Sequence, residues 1–184
     1  MQWSNLNTLP LSHGQQALWL IYQENPQSSA YNVSLPLRFS QPLDHDLLQQ
    51  ALNDLLNHHT VLSCIFAEQK GIPYQQFGAN IQANLMIFPE TDIAPNVVPE
   101  RLQHFAAQPF DLSKNVFRAT LLECANQTSV VLLDIHHIVA DAASLSILGR
   151  DLTTCYAQRQ QEQQPVLLET AKVTDYLTWE QKLL

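Results

Sequence analysis

Two hydrophobic periods alternate along the chain, and each switch between them marks an element. Ser12 stands where a helix N-cap belongs, and Ala17, Leu18 and Ile21 fall on one side of a helix running to Gln23. Glu24 to Ala30, with Asn25-Pro26 and two serines, reads as a loop. From Tyr31 the period becomes two: Tyr31, Val33, Leu35, Leu37 and Phe39 point one way, and Pro36 on the opposite register marks an edge strand or a bulge. Pro42 and Asp44 open an amphipathic helix whose stripe is Leu47, Leu48, Ala51, Leu52, Leu55 and Leu56, ending near His58-His59. Val61 to Ala67 is predicted as a strand, turned by Gly71-Ile72-Pro73 into a partner over Tyr74 to Phe77, with a further short strand at Asn84 to Phe88. After a proline-punctuated loop from Asp92, Pro99 suits the first turn of a helix carrying Leu102, Phe105 and Ala106, which Pro109 stops. Phe117 to Glu123 and Val130 to Ile135 pair naturally as a hairpin across the polar turn Ala125 to Thr128. A helix over Ala143 to Gln160, burying Leu145, Leu148, Leu152, Cys155 and Tyr156, and a last helix from about Val173 to the end complete the pattern. Helices alternating with strands, several of them antiparallel, imply a two-layer α/β domain.

Composition narrows the function classes. The 184 residues suffice for one compact domain, or for one lobe of something larger. Apolar residues at 46% against 14% charged exclude a disordered chain. Nine basic and seventeen acidic side chains give a net charge of −8, so neither a nucleic-acid backbone nor an anionic membrane surface is an expected partner. The apolar runs are strand-sized, and the opening residues lack the basic and apolar regions of a secretory signal, so a cytoplasmic protein is expected. Three widely spaced cysteines, Cys64, Cys124 and Cys155, read as reduced thiols. Four glycines leave no Gly-rich phosphate loop, which excludes the common nucleotide-binding motifs.

The richest chemistry lies between Val130 and Ala142. A nearly all-apolar strand runs into His136-His137, and Asp141 follows the second histidine by four residues. Imidazole is the side chain best suited to moving protons at neutral pH, and the end of a buried strand would hold it rigidly against a cleft. Asp141 is placed to fix the loop or a histidine tautomer. The bland alternative is a pair of histidines that caps a strand and bonds to backbone. A metal centre is disfavoured, because neighbouring strand residues point to opposite faces and no His/Cys cluster stands at ligand spacing. The second pair, His58-His59, sits at a helix end where the dipole favours histidine. There is no G-x-S-x-G elbow for a serine hydrolase. Cys155 and Cys64 fall on apolar faces, which disfavours a nucleophilic thiol.

His136-His137-Ile138-Val139-Ala140-Asp141-Ala142 resembles the HHxxxDG motif of the condensation domains of nonribosomal peptide synthetases. Four further segments share the resemblance, in order and at sensible spacing. Leu11 to Trp19 is similar to the opening S-x-x-Q-x-x-L-W signature, followed by Pro26, Ser28, Ala30, Tyr31 and Asn32. His59 to Phe66 aligns with H-E-x-L-R-T-x-F but keeps only His59, Leu62 and Phe66. Pro109-Phe110-Asp111-Leu112 with Phe117-Arg118-Ala119 resembles the PFDL…RA segment, and Asp175 to Trp179 resembles D-[FY]-A-x-W.

The resemblance implies a chloramphenicol-acetyltransferase-like lobe with a mixed, largely antiparallel sheet and flanking helices. Residues 1–184 would form the N-terminal lobe of a two-lobed domain, with the C-terminal lobe of the same domain as a partner. It implies amide-bond formation between an acyl or peptidyl thioester and an aminoacyl amine, both carried on the phosphopantetheine arms of carrier domains. His137 would be catalytic, with His136 and Asp141 structural; no cofactor or metal is expected in the lobe itself. Three departures stand out: Ala142 replaces the final glycine, Thr60, Ser63 and Cys64 replace polar residues of the second signature, and the chain is about half the family length. The alternatives are a related acyltransferase using a free alcohol or amine, and a degenerate carrier-docking module. The isolated lobe is expected to be inactive and to self-associate through an exposed apolar interface.

Overall fold

The computed structural model describes residues 8–78, 82–88 and 93–183, so the opening segment, the loop's start at Asp92 and the last helix's end at Leu184 lie outside the described residues. In chain order the elements are β1 (Thr8–Pro10), α1 (His13–Glu24), β2 (Asn32–Phe39), α2 (His45–His58), β3 (Cys64–Gln69), β4 (Ile72–Phe77), β5 (Leu85–Ile87), α3 (Val98–Ala106), β6 (Phe117–Cys124), β7 (Thr128–His136), α4 (Ala142–Gln160) and α5 (Val173–Leu183). The expected α/β class and largely antiparallel pairing hold, but the strands divide between two sheets. One has the order β2-β7-β6-β5, antiparallel except for the β5–β6 pair; the other is antiparallel β1-β4-β3. Among the described residues no helix is long and apolar enough to cross a membrane.

Pro36 takes its place on β2, at the edge of the larger sheet, where its missing N–H leaves no ladder bond unmade. The period-two face of β2 (Val33, Leu35, Leu37 and Phe39) packs with α2 and α4. Leu48, Ala51, Leu52, Leu55 and Leu56 from α2 meet Leu148, Leu152, Cys155 and Tyr156 from α4 over this face, while Leu47 and Leu145 at its margin are half-buried. Gly149 lets α4 come close to β2: a methyl group there would stand 3.0 Å from a Leu35 carbon. The opposite face of β6 and β7 is covered too, by Phe105 of α3 against Leu122, Val130 and Leu132. Cover on both sides is the physical reason that these strands read as unbroken apolar runs rather than alternating ones.

The smaller sheet turns through Lys70 and Gly71, both at positive φ (53° and 78°), the backbone of a two-residue hairpin loop. The stretch Val61–Ser63, expected as the start of a strand, is instead a 3₁₀ turn over Thr60–Ser63. Ser63 Oγ donates to the Thr60 carbonyl and tightens the turn, and adjacent apolar residues do not distinguish a strand from a helical turn. Strand β1, only three residues long, carries too little pattern to predict. A second apolar cluster joins Leu11 and Trp19 to Cys64, Phe66, Phe110, Leu112, Val116 and Ile138, directly beneath the histidine loop.

Candidate active site

The two histidines at the end of β7 part company, as alternation along a strand requires. His136 turns inward and is 4% exposed, its ring 6.2–6.4 Å from those of Tyr22, Tyr31 and Phe110. Its Nδ1 accepts from the Ile138 N–H at 3.1 Å, so the ring's hydrogen is on Nε2. Burial, reinforced by neighbouring His137, pushes its pKa down to about 4, and the ring is neutral. His137 faces solvent and lines a cavity of about 620 Å³ together with Gln15, Leu18, Val61, Asp141 and Tyr176. The backbone is fixed on both sides of the pair: His136 N–H donates to Val116 O (2.9 Å) and His137 N–H to Tyr31 O (2.8 Å).

The opening signature reaches this loop through one side chain. Ser12 caps α1 in a reciprocal box with Gln15, whose Oε1 accepts from the Ser12 N–H at 3.0 Å. Gln15 Nε2 also donates to the Ile138 carbonyl (3.3 Å), next in sequence to His137. The wholly buried Gln75 of β4 clasps Gln15 from behind, donating to its Oε1 at 3.1 Å and to Pro10 O at 2.9 Å. The loop bearing His137 is thereby tied to α1 and to the smaller sheet.

Asp141 caps α4. Its carboxylate accepts from the Ser144 N–H (2.8 Å) and the Ser144 hydroxyl (2.7 Å), contacts that hold its pKa below the usual carboxylate value. It fixes the loop's exit, and neither histidine is among its described hydrogen-bond partners. Ala142 follows in the first turn of α4, at negative φ, where a methyl group is accommodated without strain. Ser63, standing where the second signature has arginine, turns back onto Thr60.

Asp134 and Ser34 carried no local signal in the sequence, whereas Arg118 and Phe110 stand in the PFDL…RA segment. Asp134 is fully buried two residues before His136; it accepts from the Ser34 hydroxyl and, at 3.4 Å, from Arg118 Nε. Burial raises its pKa, and the Ser34 and Arg118 contacts oppose that rise. Arg118 lies over the Phe110 ring (4.3 Å) and donates to the carbonyls of Phe105, Gln108 and Pro109, holding Phe110 against His136. Cys64, Cys124 and Cys155 are all buried, and burial pushes the thiols of Cys64 and Cys155 up to about 12 and about 11, far from thiolate reactivity at neutral pH.

The described residues thus present one exposed histidine, its backbone anchored on both sides, at the end of a buried strand. The condensation-domain family model matches residues 5–184, and the chain belongs to that family. It is 35% identical, over 96% of its length, to a probable non-canonical nonribosomal peptide synthetase, CymA, of Salinispora arenicola. It is 38% identical, again over 96%, to a dimodular nonribosomal peptide synthase of Bacillus subtilis. The chain spans only 2% and 7% of those proteins. Its fold is similar to the starter condensation domain of the rhizomide synthetase RzmA (TM-score 0.83, 18% identity, 95% of this chain and 43% of that one). The first condensation domain of the calcium-dependent antibiotic synthetase is similar to the same degree (TM-score 0.83, 19% identity, 96% and 43%).

Proposed function

We propose that this chain is the N-terminal lobe of a condensation domain that joins a carrier-bound acyl or peptidyl thioester to a carrier-bound aminoacyl amine. The observation that carries the reading is His137: exposed to a cavity while its own N–H and the next carbonyl are both held in place. The thioester supplies an activated acyl group as substrate. The amine nitrogen forms the new bond to its carbonyl carbon, the carbon–sulfur bond breaks, and the amine proton ends on the departing sulfur. His137 is proposed to orient the neutral amine and to take up that proton in passing, a placement effect more than a chemical one. Buried, neutral His136 and the capping Asp141 hold the loop from below and from its exit. Carrier domains and a second lobe over the cavity are the partners this reading requires. It places the domain in the cytoplasm, in keeping with three unpaired thiols.

In a synthetase containing this lobe, His137→Ala is expected to slow peptide-bond formation between loaded carrier domains by roughly 10²–10⁴-fold. The lobe alone is expected to form almost no product, since in this reading the reaction chamber lies between two lobes. A His137→Ala synthetase that keeps its rate would remove the catalytic role. It would favour a docking module instead, a second reading motivated by Ser63 turning onto Thr60 where the signature has arginine.

A further inference from the structure

A second group of ligating side chains lies away from the histidine loop, where the end of α2 meets the middle of α4. His58 is the last residue of α2, His59 is its C-cap, and Asp151, 2% exposed, comes from α4. One ligand atom from each of the three lies within 4.8 Å of the others. His59 Nε2 is 2.8 Å from Asp151 Oδ2. The contacts around the trio match those that commonly support metal ligands. His58 Nε2 is 2.8 Å from the Leu168 carbonyl, which can only accept, so Nε2 carries the hydrogen and Nδ1 keeps its lone pair. Arg150 donates to Asp151 Oδ1 through Nε (2.8 Å) and Nη2 (2.7 Å), orienting the carboxylate with Oδ2 towards His59. The carbonyl end of α2 adds a partial negative charge. His58 and His59 also line separate cavities of about 650 and 130 Å³, which provide access and room for water.

We propose that His58, His59 and Asp151 bind a divalent transition-metal ion, with zinc as the fitting case: two imidazoles, one carboxylate and a water in the fourth position. The ion would enter between His59 Nε2 and Asp151 Oδ2. The imidazole hydrogen moves to Nδ1, the ring stays neutral, and no atom changes oxidation state. Ligand distances of about 2.0–2.2 Å require the 2.8 Å contact to open slightly and the His58 ring to swing inward. The Arg150 guanidinium opposes part of the attraction, which points to modest affinity. Bound there, the ion would clamp the end of α2 to the helix that Asp141 caps. This inference stands apart from the acyl-transfer reading.

The chain has seven histidines, so substituted variants decide the matter. Zinc in a hundredfold excess over its dissociation constant is expected to raise the Tm of the wild-type chain by roughly 5–10 °C. His58→Asn, at a half-buried position, and Asp151→Asn should each remove most of that shift, whereas His45→Asn and His104→Asn should leave it intact. Cobalt should give the visible bands of a tetrahedral complex in the wild type and not in His58→Asn. No zinc-dependent shift in the wild type, or one of equal size in His58→Asn, overturns the proposal. If Asp151→Asn does not fold, His58→Asn alone gives the answer.

Discussion

Gln15 connects three parts of the lobe that are far apart in sequence: its own helix cap at Ser12, the buried amide of Gln75, and the Ile138 carbonyl 123 residues away. Replacing it with leucine keeps the size but leaves the buried Gln75 amide and the Ile138 carbonyl short of a partner. Gln15→Leu is therefore expected to cost roughly 1–3 kcal/mol, since an orphaned buried polar group forfeits its full desolvation energy. It should also move the backbone resonances of His137 and Ile138. Gln15→Glu, which can accept from Ser12 and Gln75 but cannot donate to the Ile138 carbonyl, should restore part of the stability while leaving those resonances displaced. Urea unfolding and amide chemical shifts measure the two separately; a loss of stability with the His137 and Ile138 resonances unmoved would reduce Gln15 to a packing residue. At this scale the sequence reveals which residues matter more readily than why. Gln15 belongs to a recognisable signature, and His136, His137 and Asp141 to another, but nothing local records that Gln15 and Ile138 touch. Asp141 shows the same limit: the sequence places it to fix the loop or a histidine tautomer, and only the fold shows that its carboxylate accepts from Ser144 and caps α4.

Strand β7 carries two buried ionisable groups in an otherwise apolar run, and the acid behaviour of the lobe follows from them. His136 has a folded pKa of about 4 against an ordinary 6.5. Between those values the unfolded chain binds a proton that the folded chain refuses, so stability is full above about pH 6.5 and falls as the pH drops towards 4. The loss amounts to roughly 3 kcal/mol by pH 4. Asp134 acts in the opposite sense, because burial raises its pKa above the ordinary carboxylate value and lets the folded chain take up its proton first. His136→Asn, which keeps an acceptor for the Ile138 N–H, should flatten the drop in urea midpoint between pH 7 and 4.5. The same slope in variant and wild type would mean that His136 is not the group responsible. Elements of this kind are the most legible part of the chain. The stripe of α2 and the proline-edged β2 follow from periodicity, because each buries a face along its whole length, and the hairpin of β6 and β7 follows from two apolar runs joined by a polar turn. The division into two sheets does not, since pairing between strands distant in sequence leaves no mark on either strand. The same holds for Asp151, which looks like an interruption in the apolar stripe of α4 until His59 and Arg150 are brought beside it.

For the molecule as a whole, the open question is what covers the cavity flank. Leu177 anchors α5 to the lobe, and Glu180 accepts from the His13 N–H at the start of α1, yet Tyr176 and Trp179 remain 49% and 56% exposed with their rings 5.8 Å apart. Tyr176 lines the same cavity as His137. Leu183, Val166 and Leu168 are exposed as well, so the last quarter of the chain leaves much of its apolar surface in water. In the proposed two-lobed domain a second lobe would lie over this side, and in its absence the surface has only other copies of itself to meet. The net charge of −8 limits such association at low salt, because like-charged copies repel over a Debye length, and salt should relieve that repulsion. The lobe alone is therefore expected to sediment as a mixture whose average mass rises with both protein concentration and salt. Trp179→Glu combined with Tyr176→Ser should shift it towards the monomer without lowering its Tm, because Leu177 rather than either aromatic supplies the buried contact of α5. A single monomeric boundary at every concentration would show that this flank needs no cover, and equal association of the variant would place the contact elsewhere on the lobe.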